Sequence, residues 1–244
     1  MDYGRTMNVL AIDTATDLMG VALVDERRVL SSYELLADRP HAVELPGAVS
    51  RVLQAAGLRL EQLDGIALDI GPGSFTGLRI GLSFVKALVF SLRKPVAAVP
   101  SLDLLAAGLC DSAHRVCCLM DAKQGKVYGA LYEVQRGRPQ RRSDHLLAPV
   151  GELLSLCPSK EPVAFVGDGA ALHRALIQER FGDRALLAPA EFNLPRAAIA
   201  GRLGLERLRE GLHDDPQTLT PMYLYPIDCT VRPPATPVAS PQAS

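Results

Sequence analysis

Residues 9–24 read VLAIDTATDLMGVALV, and residues 116–132 read VCCLMDAKQGKVYGALY. In each, a short apolar run ends in an aspartate, Asp13 or Asp121. A polar turn follows, then a second apolar run. Asp13 precedes Gly20 by seven residues, and Asp121 precedes Gly129 by eight. Apolar runs of this length bounded by turn residues read as strands. Val29–Leu36 supplies a third strand after the first pair, and another extended segment follows the second pair. The chain therefore carries one three-stranded antiparallel meander twice, a weak internal duplication. Two hairpins matched by chance are the alternative reading.

Working outward, residues 41–56 place Leu45, Val49, Val52, Leu53 and Ala56 at helical spacing. Pro46 lies inside that pattern, and Gly57 is a suitable stop. Further strands are expected at Ile66–Ile70, Val96–Val99 and Val163–Val166. Further helices are expected at Phe75–Leu92, Ser101–Leu109 with Ser101 as N-cap, Ala170–Arg180 and Ala197–Leu208. Strands and helices in this order, twice over, predict an α/β protein of two similar lobes. The expected division is an N-terminal lobe at 1–110, a C-terminal lobe at 111–231 and a tail at 232–244. The tail, RPPATPVASPQAS, has too little apolar surface to offset its ordering entropy and is expected to be disordered.

Hydrophobic residues make up 48% and charged residues 22%, enough to bury a full core. The net charge of -1 gives no basic balance of the kind that holds nucleic acid. The five cysteines (110, 117, 118, 157 and 229) form no CxxC pair, which argues against a zinc site or a disulfide framework. The first ten residues have no basic region followed by an apolar stretch, so they read as no signal peptide. Residues 75–92 contain Arg79 and Lys86 and read as falling short of a membrane span. A cytoplasmic location without membrane contact is expected by elimination.

DIGPGSFTGLRIG, at 69–81, joins a strand to a helix and invites a phosphate-binding reading. The spacing rejects it. Gly71 and Gly77 are one residue too far apart for a P-loop, and Leu78 stands where its lysine should be. The dinucleotide pattern fails at Thr76. The helix that follows is apolar almost all round, with Arg79, Ser83 and Lys86 on one narrow stripe. Such a helix is buried on more than one side. Gly77 and Gly81 share a face, so a second helix can approach there, from a partner chain or from the same one. Ser74 or Thr76 caps the helix start.

Asp13, Thr14 and Thr16 in the first turn are candidates for magnesium and nucleotide phosphate. Ala15, however, stands where a phosphate loop needs glycine, and a structural hairpin is the competing reading. His41 opens HAVEL, and Leu45 occupies the position at which a second histidine would complete a metal pair. No metal site is therefore expected. GDGA at 167–170 reads as a tight turn, or as a contact for adenine or ribose. No nucleophile elbow or catalytic triad is present.

Three segments, LAIDTATDLMGVAL, DIGPGSFTGLRIG and LMDAKQGKVYGALY, together resemble the TsaB (YeaZ) family, and PMYLYP resembles its short C-terminal motif. The resemblance implies the two-lobed fold of actin and the sugar kinases. It implies a part in making N6-threonylcarbamoyladenosine at adenosine-37 of tRNA, as a non-catalytic dimerisation subunit of a TsaD-like transferase. It further implies a TsaE-like ATPase as a second partner, a possible homodimer, only indirect contact with tRNA, and ATP and magnesium used by the partner subunits rather than held here. The implied interface lies on the helices near 41–56 and 75–92. Its candidate residues are His41, Leu45, Val49, Gly73, Ser74, Phe75, Thr76, Gly77, Arg79, Ile80, Gly81 and Phe84. A stand-alone kinase or metallopeptidase-like enzyme of the same fold is the alternative.

Overall fold

The computed structural model describes residues 6–36, 41–111 and 113–224. The tail at 232–244, Cys229 and the last two residues of PMYLYP lie outside the described residues.

The opening repeat builds the first sheet. Strands β1 (Val9–Asp13), β2 (Leu18–Val24) and β3 (Val29–Leu36) form an antiparallel meander. Strands β4 (Gly65–Asp69) and β5 (Val96–Val99) extend it in parallel, giving the order β3-β2-β1-β4-β5. The second sheet repeats this plan. Strands β6 (Arg115–Asp121), β7 (Lys126–Gln135) and β8 (Arg138–Arg141) form its meander. Strands β10 (Val163–Val166) and β11 (Ala185–Leu187) add in parallel, giving β8-β7-β6-β10-β11. The two orders are the same, so the duplication seen in the sequence is a duplication of topology. This is the two-lobed α/β fold of the actin and sugar-kinase type. Strand β9 (Leu146–Pro149) pairs with β7 outside that plan.

Alternation along the strands sends side chains to two faces. In the first sheet, Leu10, Ile12, Val21 and Leu23 meet helices α1 (His41–Ala56) and α2 (Phe75–Leu92). On the opposite face, Val9, Ala11, Ala22, Ala67 and Ala97 meet α7 (Ala197–Arg209). These small strand residues let α7 lie close, and a Cβ on Gly204 would come 2.4 Å from that of Ala67. Helix α7 thus belongs by sequence to the segment 111–231 but covers the first sheet. Helix α3 (Ser101–Ala107) sends Leu104 to the cluster beneath α7 and Leu102 and Leu105 to the second sheet. It therefore packs between the two sheets.

Several expected elements shift. Pro100, not Ser101, stands at the N-cap position of α3 and makes no side-chain cap, and the Ser101 hydroxyl donates to Asp69 instead. The expected helix at 170–180 is two helices, α5 (Asp168–Leu172) and α6 (Arg174–Phe181), broken at His173. Helix α4 (Val150–Leu156), between β9 and β10, was not anticipated. By length and mean hydropathy (1.5), α2 is long and apolar enough to cross a membrane, contrary to the reading from its two charges. Here Leu78, Val85 and Val89 of α2 are buried, each contributing roughly 1.5–3 kcal/mol.

A polar clasp fastens α3 to the second sheet. The Tyr132 hydroxyl donates to Asp103 Oδ1 at 2.6 Å and lies 3.1 Å from His145 Nε2. Burial, with the Cys118 thiol and the Asp103 carboxylate beside it, holds the Tyr132 phenol protonated far above its usual range. Removing the hydroxyl leaves two polar partners facing a methine edge. Tyr132→Phe is expected to lower the unfolding free energy by about 1–2 kcal/mol, read as an earlier urea midpoint with unchanged slope.

Candidate functional site

The aspartates that end β1 and β4 sit side by side, because those strands pair in parallel with Ile12 opposite Leu68. Both carboxyls are fully enclosed and interact with each other. Asp13 Oδ1 accepts from the Ala15 amide at 2.9 Å. Asp69 Oδ1 accepts from the Gly71 amide at 2.8 Å and from the Ser101 hydroxyl at 2.7 Å. The Oδ2 atom of each has no hydrogen-bond partner among the described residues. Two carboxylates cannot share such a site while both are charged, so the pair holds a proton. Burial pushes Asp13 up to about 6 against the pull of the Ala15 amide, and burial with the neighbouring Asp13 charge raises Asp69 well above its usual range.

Around this pair, the turn after β1 and the glycine-rich turn after β4 lock together. The Ser74 amide donates to Ala15 O at 2.7 Å, and the Ser101 amide donates to Gly71 O at 2.8 Å. The Thr14 hydroxyl donates to Gly77 O at 2.8 Å. Ser74 caps α2, its hydroxyl accepting from the Gly77 amide at 3.2 Å, as one of the two sequence alternatives had it.

This geometry corrects the role expected of two glycines. Gly77 and Gly81 do not face outward to a neighbour. A Cβ on Gly77 would lie 2.1 Å from Thr14 O, and one on Gly81 would lie 2.3 Å from Thr14 Oγ1. Their missing side chains make room for the chain's own first turn. The same contacts argue against a phosphate at Asp13 and Thr14: the carboxylate is enclosed, and the hydroxyl is already spent on Gly77. Thr16 is half-buried and its hydroxyl lies against Leu18. In the second lobe, GDGA is a packing turn. Gly167 has φ +112, and a Cβ there would meet Leu119 O at 2.0 Å.

Leu45 and Val49 are also removed from the outer surface. They point inward from α1 to β2 and β3 and are buried in the first core. His41 begins α1 with Nε2 2.9 Å from Thr16 O, tying the helix start to the first turn. Among the described residues, no group of three or more His, Cys, Asp or Glu could hold a metal ion.

Gly73 likewise makes room for the first turn, since a Cβ there would lie 2.2 Å from Ala15 O. Ile80 and Phe84 are half-buried and pack against the first core rather than outward. The other candidates, Ser74, Phe75, Thr76 and Arg79, are exposed. The stripe continues through Ser83 and Ala87 to Phe90, which is 89% exposed. Val43 on α1 is 72% exposed. Phe90 and Val43 were missed as outward residues, although Phe75, Arg79, Ser83 and Phe90 repeat at helical spacing. One end of the stripe is held by the C-terminal segment. The Arg79 guanidinium lies 3.9 Å over the Phe75 ring, and its Nε donates to the Tyr223 hydroxyl at 3.1 Å. The Met222 amide donates to Ile70 O at 2.7 Å, anchoring the described part of PMYLYP beside the glycine-rich turn.

Comparison with known proteins bears on this surface. Residues 35–229 match the family model described as TsaD: tRNA N6-adenosine threonylcarbamoyltransferase. The chain is 32% identical over 219 residues to the Bacillus subtilis tRNA threonylcarbamoyladenosine biosynthesis protein TsaB, covering 89% of this chain and 94% of that one. It is 36% identical over 129 residues to the Escherichia coli TsaB, where the match spans 52% of this chain and 55% of that one. The solved structure of YeaZ from Pseudomonas aeruginosa superposes with a TM-score of 0.78 at 30% identity, covering 89% of this chain and all of that one. With the paired meanders, the interlocked turns and this level of identity over nearly the whole length, the chain belongs to the TsaB (YeaZ) family.

Proposed function

We propose that this protein is a non-catalytic subunit of the assembly that makes N6-threonylcarbamoyladenosine in tRNA, and that it activates a TsaD-like transferase by docking onto it. The observation that carries this reading is the exposure of large apolar side chains on α1 and α2. Phe90, Phe75 and Val43 are 89%, 53% and 72% exposed. Large apolar side chains left exposed on two neighbouring helices support a protein interface there. Resemblance of the chain to the transferase family itself supports a paired arrangement of two like folds, through helices that correspond in each. The enclosed Asp13 and the engaged Thr14 hydroxyl support leaving ATP and magnesium to partner subunits. A cytoplasmic setting, a TsaE-like ATPase as a further partner, a homodimer when the transferase is absent, and only indirect contact with tRNA belong to the same reading.

The test is co-purification with a TsaD-like transferase, followed by threonylcarbamoylation of tRNA with and without this chain. Activity that needs both proteins supports the proposal. Turnover by this chain alone with ATP, magnesium and acceptor overturns it in favour of a stand-alone enzyme. Phe90→Glu places a charge on the proposed contact without touching the core. It is expected to weaken transferase binding by about tenfold, measured by calorimetry, while the melting temperature stays within a degree or two of wild type.

A further inference from the structure

Two helices that cover the second sheet, α4 and α6, close on a polar cavity of about 140 Å³, several times the room of one water. Helix α4 contributes Ser155, and the segment after it Ser159. Arg180 comes from the last turn of α6, and Arg184 from the turn that follows. Leu154, Cys157 and Phe181 are buried and form the floor. The Cys157 thiol is turned to Leu153 O at 3.9 Å and takes no part.

The cavity holds a surplus of hydrogen-bond donors. The Arg180 guanidinium is fixed, donating to Gly151 O at 3.2 Å and to Ser155 Oγ at 3.1 Å. The Ser155 hydroxyl in turn donates to Gly151 O at 2.8 Å. Those bonds leave the other N–H groups of Arg180 unused. Among the described residues, the Arg184 side chain and the Ser159 hydroxyl make no hydrogen bond or ion pair. Glu179 and Asp183 neighbour the two arginines in sequence, yet neither pairs with them. Two like charges therefore line one cavity with no carboxylate between them, and such a cavity concentrates anions. Guanidinium forks match phosphate oxygens bidentately, and a fork already held in place loses little freedom on binding. The donors come from three chain segments, which suits a tetrahedral oxyanion better than a planar carboxylate.

We propose that this cavity binds a phosphate group, either free inorganic phosphate or the terminal group of a small phosphomonoester. Arg184 and the unused N–H groups of Arg180 donate to its oxygens, and the Ser159 hydroxyl supplies a further donor. Ser155 positions Arg180 rather than touching the ligand. Ser155, Ser159 and Arg180 are exposed, so the mouth is open and an ester substituent can leave through it. The site is built on the second sheet's helices, whereas the proposed transferase contact uses α1 and α2, so each is tested without the other.

The experiment titrates the isotope-labelled full chain with sodium phosphate at fixed ionic strength and follows amide and arginine Nε shifts by NMR. Saturable shifts are expected at residues 154–159 and 180–185, with a Kd on the order of 0.1–1 mM. Arg184→Gln is expected to weaken binding by ~10-fold with an unchanged melting temperature, since that side chain has no partner to lose. Arg184→Lys, which keeps the charge and loses the fork, is expected to weaken it by ~3-fold. Glycerol 3-phosphate, titrated in the same way, separates the two sources. Tighter binding than phosphate assigns the site to an ester, and equal or weaker binding assigns it to the free ion. Shifts that do not saturate, acetate bound as tightly as phosphate, or an affinity unchanged in Arg184→Gln would each overturn the proposal.

Discussion

Gly77→Ala is expected to lower the melting temperature by roughly 6–15 °C, corresponding to about 3–4 kcal/mol for a chain of this size. The cause is local and steric. The added methyl would lie 2.1 Å from Thr14 O, a backbone atom that no side-chain rotation can move. Relief requires α2 to back away from the β1–β2 turn. That motion strains the hydrogen bond from the Thr14 hydroxyl to Gly77 O and the cap from Ser74 to the Gly77 amide. Overpacking of this kind costs about 1–3 kcal/mol, and each weakened hydrogen bond adds about 1 kcal/mol. Gly47, also helical, has nothing within 4 Å of its virtual Cβ and serves as a control. Gly47→Ala is expected to be neutral or mildly stabilising, since alanine is the better helix former. Thermal melts of both variants decide the matter. If Gly77→Ala melts like wild type, the interlocked turns do not hold the first lobe together as described.

That outcome bears on what the sequence alone can express. The meander and its echo were legible because strands with two-sided burial read as continuous apolar runs between turn residues. The bounds of α2 were legible for a similar reason, a strong apolar periodicity opened by serine. The direction each helix face takes was not. Gly77 and Gly81 at four-residue spacing announce a close approach, but their spacing is the same whether the neighbour is a partner helix or the chain's own turn. Leu45 and Val43 are both apolar and two residues apart, and only the position of the sheet decides which is buried. Helix α4 hides in LLAPVGELLSLC, where a proline and a short strand precede only two helical turns. The return of α7 to the first sheet is a long-range event with no local signal beyond the small residues Gly201 and Gly204. Asp13 was visible as the end of a strand, whereas Asp69 fell inside the strand expected at Ile66–Ile70. Their contact depends on the parallel register of β1 and β4, which neither segment states by itself.

The contact between those aspartates makes the protein's stability depend on pH in an unusual direction. An ordinary surface or paired carboxylate is lowered by folding and costs stability as acid is added. Asp13 and Asp69 are raised, so the folded state holds protons that the unfolded chain releases. Stability from Asp13 is therefore fully present below its unfolded value of 3.8 and is lost as pH rises through its folded value of about 6. Asp69 is raised well above 3.8, and its contribution likewise falls as pH rises. Other acids of the protein titrate too, so the clean observable is the difference between wild type and Asp13→Asn. An asparagine keeps the acceptor for the Ala15 amide and offers an amide donor to the unpartnered Asp69 Oδ2. It needs no shared proton. The stability of Asp13→Asn relative to wild type is expected to climb by about 1.4 kcal/mol per pH unit between pH 4 and 6. The total gain by neutral pH is on the order of 3 kcal/mol. Urea unfolding at four pH values across this range reads it directly. Glu34 and His41 also act on Asp13 through their charges, so Glu34→Gln should move the same curve by a smaller amount. A pH-independent difference between Asp13→Asn and wild type would mean that the two carboxyls do not share a proton, and the turns they anchor would then owe their rigidity to the backbone contacts at Ala15, Gly71 and Gly77 alone.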